Sequence, residues 1–247
     1  MSFTTWTPTE VASKARLVPR LQLWRAVEAQ HQVSTTLLVD NLSEQALLER
    51  LLEGSKPTVP RQPAGLHWLL FTPFRYPALP GGSRFRAAAD PGVFYGAEAI
   101  RTACAELGYW RWRFLLDSPS LDRIDSRPQT VFLSSVAGMA IDLREEPWAA
   151  AHVQWTAPND YDPCQAFART ARQAEVALIR YESVRDPLHG GCTAVLHTDA
   201  FRHKEPLEAH TWLLTVTTQR VFWRKDAVLE DAAFEFNYAR RSKSRSN

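Results

Sequence analysis

The hydrophobic positions of this chain change period several times between its ends. In HTWLLTVTTQRVFWR (His210–Arg224), Thr, Val and aromatic residues alternate with polar ones, the period-two signature of strands half-buried against a core. TVFLSSVAGMAIDL (Thr130–Leu143) predicts one or two further strands, and LQLWRAV (Leu21–Val27) and GVFY (Gly92–Tyr95) predict shorter ones. HWLLFTPF (His67–Phe74) is a short apolar run bounded by proline and is read as a strand. VALIRY and TAVLHT read as strands on either side of a Gly-Gly turn at Gly190 and Gly191.

The helical period appears in fewer places. Asn41 followed by Glu44 resembles a capping box, Ala46, Leu47, Leu48, Leu51 and Leu52 make an apolar face, and Gly54 sits where a left-handed C-cap belongs. Ile100, Ala103, Cys104 and Leu107 recur at i, i+3, i+4 and i+7, and CQAFARTARQA (Cys164–Ala174) follows Pro163 as a second amphipathic helix. Strands outnumber helices without strict alternation, so the fold class expected is α+β, a mixed or antiparallel β core with flanking helices. Residues 1–20 read as a polar lead-in ending near Pro19. Pro57, Pro60 and Pro63 make 56–65 a connector, and RRSKSRSN reads as a basic tail. The organisation expected is an N-terminal strand with a helical insertion (33–65) over 1–66, a catalytic domain over 67–236, and a disordered tail over 237–247.

Charge and cysteines narrow the class. A net charge of +2 gives no global field for nucleic acid. Cys104, Cys164 and Cys192 are odd in number and widely spaced, which argues for buried free thiols rather than a disulfide scaffold. The first residues carry no apolar leader core and no stretch approaches a membrane span, so a soluble, cytoplasmic protein is expected. His197, His203 and His210 fit no zinc pattern, and no metal is expected. YWRWRF (Tyr109–Phe114) interleaves aromatics with Arg111 and Arg113, a combination that suits stacking on single-stranded nucleic acid, although a half-buried strand or helix end with snorkelling arginines is the favoured reading.

One group of residues suggests chemistry. Arg84 lies in a Gly-Gly-Ser loop, Tyr95 ends a strand, and Glu106 lies off the apolar face of the next helix. Alone, each has an ordinary reading: a loop cation, a strand-end aromatic, a solvated flank. Together they suit cleavage of an N-glycosidic bond beside a diphosphate. Arginine grips phosphate oxygens as a planar fork, tyrosine stacks on a ring, and a carboxylate stabilises the positive charge that builds on ribose. Ser183, in RYESVRDPLHGG, lacks a nucleophile elbow and reads as a turn residue or as a hydroxyl that binds a ribose or phosphate.

GGSRFR (Gly81–Arg86), GVFYGAEAIRTACAEL (Gly92–Leu107), the IDL strand end (Ile141–Leu143) and ALIRYESVRDPLHGG (Ala177–Gly191) together resemble the RES domain, the toxins of RES–Xre toxin–antitoxin pairs. The resemblance implies a fold akin to ADP-ribosyltransferase toxins, with Arg84, Glu106 and Ser183 as the family's arginine, glutamate and serine, and Tyr95 as a pocket tyrosine. It implies NAD as substrate rather than as prosthetic group, degraded with water or inorganic phosphate as acceptor, and an Xre-type antitoxin as partner through which any nucleic acid is reached. Two further activities stay open: ADP-ribosyl transfer to a protein, and a non-catalytic nucleic-acid-binding or RNase-like toxin. A second family arginine near the domain start has two candidates, Arg25 and Arg75, with Arg75 slightly favoured because it lies nearer the glycine loop.

Overall fold

The computed structural model describes residues 5–29, 41–55, 65–78, 80–227 and 232–238. Its centre is an eight-stranded mixed sheet flanked by helices, an α+β architecture. The strands are β1 (Arg16–Glu28), β2 (Phe94–Ala97), β3 (Arg123–Asp142), β4 (Leu178–Glu182), β5 (Gly191–Val195), β6 (Glu208–Thr217), β7 (Arg220–Lys225) and β8 (Ala233–Asn237). The helices are α1 (Pro8–Lys14), α2 (Leu42–Ser55), α3 (Trp68–Arg75), α4 (Ile100–Leu116), α5 (His152–Trp155) and α6 (Asp162–Gln173).

The sheet closes partly on itself. β1 runs antiparallel along β3 from Arg16↔Ala140 to Glu28↔Gln129. From β3 the order passes through the parallel strand β4 to β5 and β2. β2 returns to β1 at a single registered pair, Trp24↔Ala97. The ring is therefore well stitched everywhere except at one seam. The other half of β3 carries β6, β7 and β8 as an antiparallel meander. Gly96 lets the seam approach closely: a Cβ there would lie 2.8 Å from the Cβ of Leu23 on β1.

Three apolar clusters hold the layers together. One, with Phe85, Ile141, Trp148, Trp155, Phe167 and Ile179, joins α6 to the ring. A second, with Leu23, Leu70, Phe71, Phe94 and Phe132, seats α3. The third places Cys104, Trp112 and Leu115 of α4 on Val131, Trp212 and Trp223. Gly108 brings α4 down onto β7, where an added Cβ would lie 2.8 Å from Val221 Cγ1. Burial of Pro163, Cys164, Phe167, Ala168 and Ala171 follows the helical period anticipated for α6. Cys104, Cys164 and Cys192 are free and buried.

Several expectations are corrected. His67–Phe74 does not form a strand: residues 68–75 are helix α3, started by His67, whose Nδ1 accepts the Leu69 amide at 3.2 Å. Leu69, Leu70 and Phe71 are buried in succession, a pattern a short helix shares with a strand. The lead-in also contains structure. Thr7 and Glu10 form a capping box for α1, with Pro8 at its start, and β1 begins at Arg16. Of the two ordinary readings of YWRWRF the helix end is the one observed, as the run continues α4. α2 is capped by Asn41, whose Oδ1 accepts the amides of Ser43 and Glu44, but it runs to Ser55, past the expected stop at Gly54. Its Leu47, Leu51 and Leu52 are largely exposed. Residues 33–40 and 56–64 of the insertion and proline connector, and the RRSKSRSN tail, lie outside the described residues. Among the described residues, no helix is long and apolar enough to cross a membrane.

The seam gives a stability prediction. Gly96→Ala forces the new methyl against Leu23 and should cost about 1–3 kcal/mol, the usual range for overpacking, read as a lower midpoint in urea denaturation. A loss below ~0.5 kcal/mol would mean that β1 and β2 are not held at this distance.

Candidate functional site

A cavity of about 220 Å³ opens at the seam, where β1 and β2 part on either side of Trp24↔Ala97. Gly81 and Gly82 take φ values of +85° and +69°, which turns the chain tightly before Ser83. The Ser83 and Arg86 backbones then bond to each other at 2.7 and 3.1 Å. Gln165 of α6, itself buried, donates to the carbonyls of Gly81, Ser83 and Arg86 at 3.2, 3.0 and 3.4 Å, pinning this loop to the helix. Arg84 is thereby aimed into the cavity. Its Nη1 donates to the Trp155 and Ala157 carbonyls at 2.7 and 3.0 Å, and its guanidinium lies 5.0 Å from the Tyr161 ring centroid.

Tyr95 closes the back of the loop. Its hydroxyl shares a 2.8 Å hydrogen bond with Ser83 Oγ and accepts the Phe85 amide at 2.9 Å. Burial pushes that hydroxyl up to about 12, so it stays protonated at neutral pH. The ring of Tyr95 lines the cavity while its polar end is committed to holding Arg84's loop.

Glu106 enters from α4, one of the residues that line the cavity. Burial raises its pKa above the ordinary 4.5, opposed by the Ser183 hydrogen bond and by the positive charges of Arg185 and Arg84. Ser183 Oγ donates to Glu106 Oε1 at 2.5 Å and accepts the amides of Arg185 and Asp186 at 3.1 and 3.0 Å. With its one proton on Glu106 and no exposed surface, Ser183 stands behind the carboxylate instead of reaching a ligand from the cavity wall. The geometry makes it a positioning residue for Glu106.

The same turn delivers Arg185. Its Nη2 donates to the Pro158 carbonyl at 2.5 Å and to Tyr161 Oη at 3.1 Å, and its guanidinium stacks 3.9 Å from the Tyr109 centroid. Asp186 braces the turn with Arg101 and Thr102, the latter donating at 2.8 Å. Burial alone would raise the Asp186 pKa, but the Leu188 amide, Thr102 and Arg101 together hold it below the ordinary value.

Of the two alternative arginines, Arg25 lines the cavity. Its Nη1 donates to the Tyr95 carbonyl at 2.7 Å, bridging the parted strands, and its guanidinium lies 4.9 Å from the Phe94 centroid. Nε of Arg25 is buried without a hydrogen-bond partner, and desolvation lowers the guanidinium to about 10. Arg75 sits in the last turn of α3 and does not contribute to the lining. Nearness in sequence to the glycine loop favoured it; strand pairing, not sequence distance, decides which side chain arrives. The cavity thus gathers Arg25, Arg84, Tyr95 and Glu106, keeps Ser183 immediately behind, and leaves Arg75 outside.

Arg185, Gln165 and Tyr161 were not among the residues singled out from the sequence. Arg185 had a signal, lying two residues after Ser183 in ESVRDP. Gln165 and Tyr161 had none, because their roles depend on where α6 docks. The YWRWRF run is not one stacking face: Trp112 is buried in the core, Arg111 pairs with Glu28 at 2.7 Å, and Trp110 and Phe114 remain exposed. His210 lies against Trp24, ring centroids 5.9 Å apart.

Chemically, the cavity offers three guanidiniums (Arg25, Arg84, Arg185) and one carboxylate, Glu106. Among the described residues none of the three makes a salt bridge with a carboxylate. Arg84 and Arg185 are buried and Arg25 is part-buried, an arrangement able to receive an anion.

Comparison with curated proteins returns no match. Among solved structures, the chain is similar to one in the crystal structure of the M. tuberculosis MbcT–MbcA toxin–antitoxin complex, with a TM-score of 0.50 and 10% identity over 83% of this chain and 90% of that one. At that identity the likeness concerns the fold. The RES domain family model matches residues 58–217, well over half of the chain and all of the cavity's lining except the β1 residues. The chain belongs to the RES domain family.

Proposed function

We propose that this protein degrades NAD by cleaving the bond between nicotinamide and ribose. The observation that carries the reading is the charge pattern of the cavity: Arg25, Arg84 and Arg185 without carboxylate partners among the described residues, facing one carboxylate. A diphosphate satisfies the guanidiniums, and the single carboxylate suits a sugar that becomes cationic.

In this reading the arginines hold the diphosphate and the Tyr95 ring contacts the nicotinamide. The C1′–N1 bond breaks with its electron pair passing to the pyridinium nitrogen, so neutral nicotinamide leaves. Positive charge remaining on C1′ and the ring oxygen lies against ionised Glu106, held in place by Ser183. Water then adds and loses a proton, giving ADP-ribose, or inorganic phosphate adds to give the 1″-phosphate. Membership of the RES domain family, with the fold shared with one chain of the M. tuberculosis toxin–antitoxin complex, supports a second part of the proposal, that the protein is a toxin held by an antitoxin partner; the Xre type of that partner rests on the family resemblance alone.

The primary test is nicotinamide release from NAD by the purified protein, followed by chromatography with and without phosphate. Release is expected, and Glu106→Gln should lower turnover about 100- to 1,000-fold, the usual scale for losing one charge-stabilising group. No release from the wild type would end the proposal. Expressed alone, the wild type should deplete cellular NAD and stop growth, and Glu106→Gln should do neither.

Two finer predictions follow from the geometry. The ionised form of Glu106 is the active one, so kcat/KM should fall as pH drops through a pKa above 4.5. Because the Ser183 hydrogen bond favours the ionised form, Ser183→Ala should move that acid limb to higher pH. A limb unmoved by the substitution would contradict the positioning role. Separately, Arg25→Ala should raise KM for NAD about tenfold or more, the scale of a lost charge-assisted contact of ~1.5–3 kcal/mol, while Arg75→Ala leaves it unchanged. Equal effects of the two substitutions would contradict the assignment of Arg25.

A further inference from the structure

The proposed substrate is larger than the space that surrounds the reacting bond. Enclosed sites for ligands of drug size run from about 300 to 1,000 Å³, and this cavity measures about 220 Å³. A dinucleotide can place one nucleotide half inside, and the other must lie over the rim. One aromatic side chain of the lining is open to solvent.

That side chain is Trp110. It lines the cavity and yet is 51% exposed, unlike Trp24, the other tryptophan of the lining, which is part-buried. Trp110 lies four residues after Glu106 on α4, on the same face and about 6 Å further along the axis. Arg185 stands beside it: the guanidinium is 3.9 Å from the Tyr109 centroid and 5.7 Å from that of Trp110. This cation is oriented by aromatic faces and by the Pro158 carbonyl and Tyr161 hydroxyl, and it is buried although it makes no salt bridge among the described residues. A flat, open π-face next to an unpaired guanidinium is the complement of a base attached to a phosphate.

We propose that Trp110, with Arg185 at its inner edge, forms an outer subsite that stacks the purine of the second nucleotide half. The subsite rests on the NAD reading for its ligand, but its chemistry, a purine nucleoside diphosphate, can be tested without cleavage. Trp110 is then a specificity residue, separating a dinucleotide from a mononucleotide that ends at its own phosphate.

Isothermal titration calorimetry with ADP as probe decides the matter. The wild type should bind ADP, Trp110→Ala should weaken it about tenfold, and Trp110→Phe should keep affinity within threefold, since a smaller π-face remains. Steady-state kinetics add a second readout. Trp110→Ala should raise KM about tenfold for NAD and leave KM for nicotinamide mononucleotide unchanged. Absence of ADP binding to the wild type, or equal ADP affinity in wild type and Trp110→Ala, overturns the subsite, as does an equal rise in KM for both substrates. Exposed Trp110 would in those cases belong to a protein contact. If the wild type binds ADP through Trp110 but releases no nicotinamide, the subsite stands while the NAD reading falls.

Discussion

The side chain of Arg25 replaces a run of backbone pairing. β1 follows β3 for most of its length but meets β2 at one registered pair, and beyond that pair the Arg25 guanidinium reaches across to the Tyr95 carbonyl. A fully paired seam would fill the space with a ladder of amides and carbonyls. A side-chain bridge instead satisfies a β2 acceptor while holding the strands apart, and the cavity occupies the opening. Gly96 allows the strands to touch at the seam, and Arg25 keeps them from closing beyond it. Other parts of the site are arranged around this opening: the glycine loop behind Tyr95, α4 with Glu106 along one wall, and the Ser183–Asp186 turn at its end.

Electrostatics makes that opening costly to maintain. A carboxylate and three guanidiniums are desolvated together, and most of their satisfied hydrogen bonds go to backbone carbonyls or neutral hydroxyls. Neutral partners orient a charge without cancelling it. Arg84 is steered by the Trp155 and Ala157 carbonyls, Arg185 by Pro158 and Tyr161, and Glu106 by Ser183. Each group keeps its charge available to something that enters. The exception is Asp186, whose ion pair with Arg101 braces the turn that presents Ser183 and Arg185. Pairing is used where rigidity is needed and avoided where binding is proposed.

Strands β6 and β7 of the meander and the amphipathic helix α6 were legible because each buries one face at a constant period, whereas β8 went unread. The α3 segment was not legible, since Leu69, Leu70 and Phe71 are buried in succession and such a run has no period to read. α1 carried a readable signal in TPTE, a capping box with Pro at the first turn, hidden by the polar character of its surroundings. The grouping of Arg84, Tyr95 and Glu106 was visible as a loop, a strand end and the next helix, since these are neighbours in the chain. What sequence could not supply was contact across the ring. Arg25 and Tyr95 are 70 residues apart and meet only because β1 crosses to β2, whereas Arg75, nearer to the loop along the chain, is carried off by a helix. Ser183 was visible as a residue but not as a support, since its orientation depends on the turn that binds both of its lone pairs.

The close approach at Gly108 places a foundation under the helix that bears Glu106. α4 rests through this glycine on Val221 and Trp223, and Tyr238 donates to the Ala105 carbonyl one residue before the glutamate. All three supporting residues lie beyond position 217, where the family match ends. The limit of recognisable family sequence is therefore not a limit of the folding unit. The last strands act as an adjustable shim: a change of one methylene beneath Gly108 would tilt or lift α4 and move the carboxylate without touching any residue that faces the cavity. The position of the cavity's carboxylate is thus set from behind, by residues outside the family match.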